Sequence, residues 1–132
     1  MPKILVIDND ELFRQYLAAL LRRAGYRTQA PASSGEMRSV LAAGDYDAVV
    51  TELYMPDIDG IEVVRVVKSQ YPTVAVVAVT GGSLGRADPS QKAMLAFGAA
   101  AVLTKPIDPD SLLAVLHRAL DSMAVRSPCA SN

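Results

Sequence analysis

Along the chain, short and almost continuously apolar runs alternate with longer segments in which apolar residues recur at the period of a helix. Strands that are apolar on both faces are typical of a parallel sheet covered by helices on its two sides. Tyr26 to Ala30 mixes polar and apolar residues and predicts a weaker strand at the sheet edge. The inner strands are predicted at Ile4 to Ile7, Ala48 to Val50, Val74 to Val79 and Ala99 to Leu103.

The helical segments are marked by apolar stripes and by residues that start or stop a helix. Asp108 followed by Pro109 supplies an N-cap and a proline at the first helical position, and Asp88-Pro89 repeats this before the fourth helix. Gly25 is predicted to end the first helix. The first stripe comprises Leu12, Phe13, Tyr16, Leu17, Leu20 and Leu21, the third helix carries Ile61, Val64, Val67 and Tyr71, and the last carries Leu112, Val115, Leu116, Ala119 and Met123.

Strands joined by helical crossovers predict an α/β fold, a flavodoxin-like doubly wound (βα)5 sandwich whose parallel five-stranded sheet has the order 2-1-3-4-5. Ligands of such sheets bind beyond the carboxyl ends of the strands. Taken singly, a polar residue at a strand end is usually a helix cap or a turn residue. Here several of them are expected to converge on one rim of the sheet: Asp8, Asn9, Glu52, Thr80 and Lys105.

Composition sets the bounds of the molecule. With 132 residues, 51% of them hydrophobic, the chain is long enough for one domain, predicted over residues 1–123, and residues 124–132 are expected to form a disordered tail. A net charge of -1 without a basic block argues against a nucleic-acid partner. The single cysteine, Cys129, and the lack of an apolar run of about 20 residues favour a cytoplasmic protein without a membrane span.

Four motifs in this order resemble the receiver domain of two-component response regulators: Asp8-Asn9-Asp10, Glu52 with Met55-Pro56-Asp57-Ile58-Asp59-Gly60, Thr80, and Lys105-Pro106. The resemblance runs from about Lys3 to Met123. It implies that Glu52 stands at the phosphoacceptor position, that Asp8 and Asn9 form the acidic pocket, and that Thr80 and Lys105 bind phosphate and take part in switching. It also implies a cis Lys105-Pro106 bond and a Mg²⁺ site formed by Asp8, Asn9, Glu52 and the backbone carbonyl of Tyr54.

Two departures from the family pattern concern the acids. Asn9 stands where a second aspartate is common, so any Mg²⁺ site is expected to be weak or absent, although Mg²⁺ is often held by only one or two carboxylates. Glu52 replaces the acceptor aspartate, and its extra methylene moves the carboxylate by roughly 1.5 Å. Misplacements of about 1 Å can cost on the order of a hundredfold in rate, so efficient phosphorylation is not expected.

Three accounts of Glu52 are open at this point. Its displaced carboxylate would imitate the phosphorylated state if it reached Lys105 and Thr80, although with less charge than a phosphate. Alternatively, Glu52 and Lys105 form a structural ion pair in a site that has lost its relay. The third account is that the natural residue is an aspartate, for which this glutamate was deliberately exchanged.

The family's switch elements also differ in this chain. Val102 stands three residues before Lys105, where receivers usually carry an aromatic ring. The glycine-rich segment 81–87 after Thr80 is interpreted as a tolerated surface insertion or as a relocated partner loop. His117, the only histidine, is expected to be a surface side chain on the last helix.

The predicted function is that of a stand-alone, non-enzymatic receiver in phosphorelay signalling, atypical because Glu52 replaces the phosphoacceptor aspartate, with imitation of the phosphorylated state as one open account of that glutamate. The alternative is a phosphorylation-independent interaction module. A nucleotide- or flavin-binding enzyme is a remote alternative, because the glycines after Thr80 do not form a phosphate-binding fingerprint. The expected partners are a histidine kinase or another signalling protein, or a second copy bound through the face of helix 4, strand 5 and helix 5.

Overall fold

Five strands, each followed by a helix, form the molecule. The computed structural model describes residues 1–32, 36–56, 58–81 and 89–126. In chain order the elements are β1 (Lys3–Ile7), α1 (Glu11–Arg23), β2 (Arg27–Gln29), α2 (Met37–Ala43), β3 (Ala48–Glu52), α3 (Gly60–Gln70), β4 (Ala75–Thr80), α4 (Pro89–Ala96), β5 (Ala101–Thr104) and α5 (Pro109–Arg126).

The strands form one parallel sheet in the order β2-β1-β3-β4-β5, which confirms the predicted doubly wound topology. Val50 lies opposite Val6 on β1, and Glu52 lies opposite Val79 on β4. The carboxyl ends of β1, β3 and β4 therefore lie side by side at one rim of the sheet. This rim is where the polar residues of the sequence motifs follow the strands.

Two apolar layers cover the sheet, one on each face. Neighbouring strand residues point to opposite sides, so Leu5 packs into one layer and Ile4 into the other. The first layer includes Leu53 with Val63, Val64 and Val67 of α3, while the second includes Leu17 and Leu21 of α1 with Leu112 and Leu116 of α5. Because both faces are covered, β3 and β4 are buried along their whole length.

The predicted face of α1 was wrong in part. Leu12 is 80% exposed and Tyr16 is 47% exposed. Leu17 and Leu21 are buried as predicted, and α1 also buries Arg14 and Ala18, which the stripe did not include. Arg14 is buried beside the end of β1, where its guanidinium donates a hydrogen bond to the carbonyl of Asp8.

The helix ends follow the predicted capping residues where these are described. Gly25 has a φ of 102° just after α1. The Asp108 carboxylate accepts a hydrogen bond from the Ser111 amide at 3.1 Å, and Pro109 is the first residue of α5. Pro89 likewise begins α4, whereas Asp88 and residues 82–87 of the glycine-rich loop lie outside the described residues.

The last helix is longer than predicted. It continues through Met123 to Arg126, so the first three residues of the expected tail are helical. Residues 127–132 of that tail lie outside the described residues. Among the helices that the structure describes, none combines the length and apolar character needed to cross a bilayer.

Candidate functional site

Three of the predicted site residues meet at the rim, and Lys105 is at their centre. Its ammonium lies 2.9 Å from Oε1 of Glu52 and 3.1 Å from Oδ2 of Asp8. The two carboxylates are themselves buried, since Glu52 is 7% exposed and Asp8 4% exposed. Charges in such a place are costly unless they are paired, and the lysine pairs both of them.

The Glu52 carboxylate is also bound from the other side, by the backbone that follows it. Its Oε2 accepts hydrogen bonds from the amides of Leu53 at 2.6 Å and Tyr54 at 3.3 Å. One oxygen therefore contacts a lysine that arrives from β5, while the other contacts the loop after β3. The side chain is thereby fixed at both oxygens.

Asp8 is fixed by hydrogen bonds from its own loop and from α1. Its Oδ1 accepts a hydrogen bond from the Asp10 amide at 2.8 Å, and its carbonyl accepts one from Nη1 of Arg14 at 3.0 Å. Arg14 is only 7% exposed. The turn between β1 and α1 is thus stabilised by a buried guanidinium that the sequence motifs did not indicate.

Lys105 is oriented by four elements. Its amide donates to the carbonyl of Thr80 at 2.7 Å, and its ammonium lies 4.1 Å from the centre of the Phe13 ring. Burial lowers the pKa of Lys105, but hydrogen bonds to Glu52 and then to Asp8, with attraction to both carboxylates, outweigh burial and raise the pKa above its ordinary value. The lysine is consequently held in its charged form.

Thr80 and the remaining predicted residues occupy the same rim with different exposure. Thr80 is the last residue of β4 and is completely buried. Asn9 is exposed next to Asp8, and Tyr54 is 50% exposed after β3. The Lys105-Pro106 bond is cis, as the resemblance implied.

Gly60, the first residue of α3, allows the helix to approach the end of β3 closely. A β-carbon at this position would lie 2.5 Å from the carbonyl oxygen of Glu52 and 2.7 Å from the α-carbon of Leu53. The Gly60 amide donates to the carbonyl of Leu53 at 2.9 Å. The lack of a side chain therefore sets the distance between α3 and the end of β3.

The predicted metal ligands are Asp8, Asn9, Glu52 and the Tyr54 carbonyl. Within the described part of the chain, no group of three or more histidine, cysteine, aspartate or glutamate side chains is arranged to hold a metal ion. The two carboxylates of the site already share the Lys105 ammonium. The donor set can thus offer a divalent cation only two carboxylates, both already paired.

Two other residues that the sequence analysis considered, His117 and Val102, lie apart from the site. His117 on α5 is 73% exposed at its side chain and lies 3.4 Å from Asp121, one turn further along the same helix. Val102 on β5 is partly buried against the first apolar layer. Neither residue contributes a group to the rim.

Comparisons with known proteins agree with this geometry. The family model described as response regulator receiver domain matches residues 4–117. The transcriptional regulator NtrC of Proteus hauseri is 31% identical over 119 residues, which are 89% of this chain and 24% of that protein. The chain thus spans about a quarter of the length of the first curated relatives that it matches.

Solved structures with the same fold cover almost the whole chain. A response regulator receiver domain protein from Clostridium thermocellum has a TM-score of 0.87 and 27% identity, covering 96% of this chain and 100% of that one. The beryllofluoride-activated NtrC4 receiver domain dimer has a TM-score of 0.83 and 25% identity, covering 93% of this chain and 99% of that one.

Proposed function

The chain belongs to the response regulator receiver domain family, and on that basis we propose that it serves two-component signalling as an atypical receiver whose Glu52 imitates the phosphorylated state. The proposal assigns it no catalytic reaction of its own. It includes a cytoplasmic location, as the sequence led us to expect. Its site is the rim formed by Asp8, Glu52, Thr80 and Lys105.

The observation that supports mimicry is the set of donors around the Glu52 carboxylate. A lysine ammonium lies 2.9 Å from one oxygen, and two backbone amides bind the other oxygen. Preorganised ammonium and amide donors of this kind are what a phosphoryl group requires for charge stabilisation. The glutamate carries one negative charge and fewer acceptor oxygens than a phosphate, so the imitation is partial.

The same contacts argue against phosphoryl transfer to Glu52. A carboxylate that attacks phosphorus needs one oxygen aligned with the incoming group. Both oxygens of Glu52 are engaged by donors, and the side chain is one methylene longer than the usual acceptor. We further propose that Mg²⁺ binds weakly at most, through Asp8, Asn9, Glu52 and the Tyr54 carbonyl, because the Lys105 ammonium already contacts one oxygen of each carboxylate and would repel a cation.

A second function is favoured by one observation, the position of Lys105 between two carboxylates. Each buried carboxylate has a cationic partner without any metal, which a protein that no longer responds to phosphorylation would need for a stable fold. In that case the chain is a phosphorylation-independent interaction module. The two functions differ in whether Glu52 holds the signalling conformation.

The proposed partners are a histidine kinase or another signalling protein, and a second copy of the chain. We propose the face of α4, β5 and α5 for the second copy. Its support is that β5 is an edge strand and that Leu95 and Phe97, at the end of α4, are 49% and 47% exposed. Molar mass by light scattering over a concentration series tests the dimer, with Leu95→Ser expected to weaken it.

The test of mimicry compares four proteins by amide ¹H–¹⁵N spectra and intact mass: wild type, Glu52→Gln, Glu52→Asp, and Glu52→Asp treated with acetyl phosphate and Mg²⁺. We expect a phosphoryl adduct on Glu52→Asp alone. We expect the wild-type signals after β3 and β4 to lie nearer to the phosphorylated Glu52→Asp protein than to the untreated one. Glu52→Gln should resemble the untreated protein, because the amide removes the negative charge.

Each alternative has its own outcome in this experiment. An adduct on the wild-type chain would contradict mimicry and restore an ordinary relay. A wild-type spectrum that coincides with untreated Glu52→Asp, or a Glu52→Asp protein that takes no phosphoryl group, would support the phosphorylation-independent module.

A further inference from the structure

The Lys105 ammonium is enclosed by groups from three separate segments. Asp8 follows β1 and Glu52 ends β3, and each accepts from the ammonium through one carboxylate oxygen. Phe13, on the first turn of α1, presents its ring 4.1 Å from the ammonium nitrogen, measured to the ring centre. This distance is well within the range of about 6 Å in which an aromatic face attracts a cation.

The number of donors on the lysine explains why the ring matters. An ammonium group carries three N–H donors and no acceptor. The two carboxylates take one donor each, and the Phe13 ring covers a further side. With 20% of the lysine side chain exposed, water has limited access to the remaining surface.

Phe13 is itself held in place. Its amide donates to the Asp10 side chain at 3.2 Å in the N-cap of α1, and its ring packs, partly buried, against the second apolar layer. The stem of Lys105 is confined on another side, because a β-carbon built on Gly81 would lie 3.5 Å from its δ-carbon. The ring and the lysine therefore meet as two ordered groups.

We propose that Phe13 is a positioning residue, whose ring face keeps the Lys105 ammonium in contact with Glu52 and Asp8. Without the ring, the ammonium would lose the attraction of the aromatic face and be more open to water, so its contacts with the two carboxylates would weaken. This inference goes beyond the proposed function, since it concerns the lysine whether or not Glu52 imitates a phosphate.

The test replaces the ring without emptying its site. Phe13→Leu keeps an apolar side chain but has no aromatic face, and pentafluorophenylalanine at position 13 keeps the ring shape while reversing the charge distribution on its face. Tyr16→Leu is the matched control, since it removes a ring of the same helix, 6.1 Å from that of Phe13 between centroids, that is not stacked on Lys105. Selective ¹³C labelling of lysine gives signals for the side chain of residue 105.

We expect the wild-type Lys105 side-chain protons to show an upfield ring-current shift that is lost in Phe13→Leu. In both Phe13 variants the pKa of Lys105 should fall, and its modification by a small amine-reactive reagent should become about two- to fivefold faster. Tyr16→Leu should change neither quantity.

The inference is overturned if the Lys105 pKa and modification rate of the fluorinated protein equal those of wild type, or if Tyr16→Leu changes them as much as Phe13→Leu. The fluorinated ring preserves packing, so it decides the question even where Phe13→Leu folds poorly. These measurements report on the lysine alone, so they can fail while the spectral test of mimicry succeeds, and the reverse.

Discussion

At the scale of single residues, Lys105 links the three acidic and aromatic groups of the rim to the end of β4. It contacts Glu52, Asp8 and Phe13 through its ammonium and Thr80 through its amide.

Lys105→Met should lower the free energy of unfolding at neutral pH by about 2 kcal/mol, because it leaves two buried carboxylates without a cation. This value lies between those typical of surface and of buried ion pairs. Urea denaturation measures this, with Lys92→Met, at an exposed position of α4, as the control.

The same residue predicts a pH dependence. The pKa of Lys105 is raised in the folded protein above the ordinary value of 10.5, so folding favours the charged form. The stability that the lysine contributes is fully present below that ordinary value and is lost as pH rises through the higher folded pKa. The difference in unfolding free energy between wild type and Lys105→Met should stay constant from pH 7 to about 10 and shrink above it. A difference that already shrinks between pH 7 and 9 would contradict a raised pKa.

Sequence reasoning found the residues of the rim that carry recognisable polar motifs and missed those that support them. The Glu52–Lys105 contact was predictable from topology, because β3, β4 and β5 are successive strands of a parallel sheet and their carboxyl ends lie at the same rim. The contacts of Arg14 with Asp8 and of Phe13 with Lys105 were not predictable. Both residues lie on an amphipathic helix, whose hydrophobic pattern predicts which face is buried but not which residues a side chain contacts. An arginine six residues after Asp8 has no sequence signal for burial.

At the scale of elements, the junction between β3 and α3 depends on Gly60. Gly60→Ala should lower the free energy of unfolding by about 2 kcal/mol, because the new β-carbon would meet backbone atoms 2.5 to 2.9 Å away that cannot yield without moving the strand end. Gly81→Ala is the matched control, since its β-carbon would make only ordinary contacts at 3.5 and 3.8 Å with the Lys105 side chain. Equal losses in the two variants would show that the tight approach is not the cause.

The ends of some elements are set by backbone hydrogen bonds, which the hydrophobic pattern of the sequence does not predict. The fifth strand was predicted from Ala99 but begins at Ala101. The Ala99 amide donates to the carbonyl of Met94, and Gly98 has a φ of 116°, so these residues terminate α4. The short α2 buries only Met37 and Leu41, which is too little to form a recognisable stripe.

At the scale of the whole molecule, the central strands should be the most stable part. β1, β3 and β4 each pair with a strand on both sides, whereas β2 and β5 are edges and β2 has only 3 residues. Amide protons of the three central strands should therefore exchange slowest with deuterated solvent, as measured by NMR. Protection in β2 equal to that in β1 would contradict this order.

The fold was predictable from sequence because a parallel sheet covered on both faces requires nearly continuous apolar strands. β3 and β4 show this directly, as every residue from Ala48 to Glu52 and from Ala75 to Thr80 is buried. The topology is predicted from the apolar patterns of all the strands and helices together. A wrong prediction of burial on one helix face, such as that at Leu12, therefore does not alter it.

The Glu52 side chain lies against the amides of its own neighbours, Leu53 and Tyr54. A negative group that is part of the polypeptide exists from the moment of translation, and no phosphatase can hydrolyse it away. Under the proposed mimicry, each folded copy is already in the signalling state. The strength of the output is then set by how many copies the cell makes and destroys, so gene expression and proteolysis take over the control that a kinase and a phosphatase would otherwise exert.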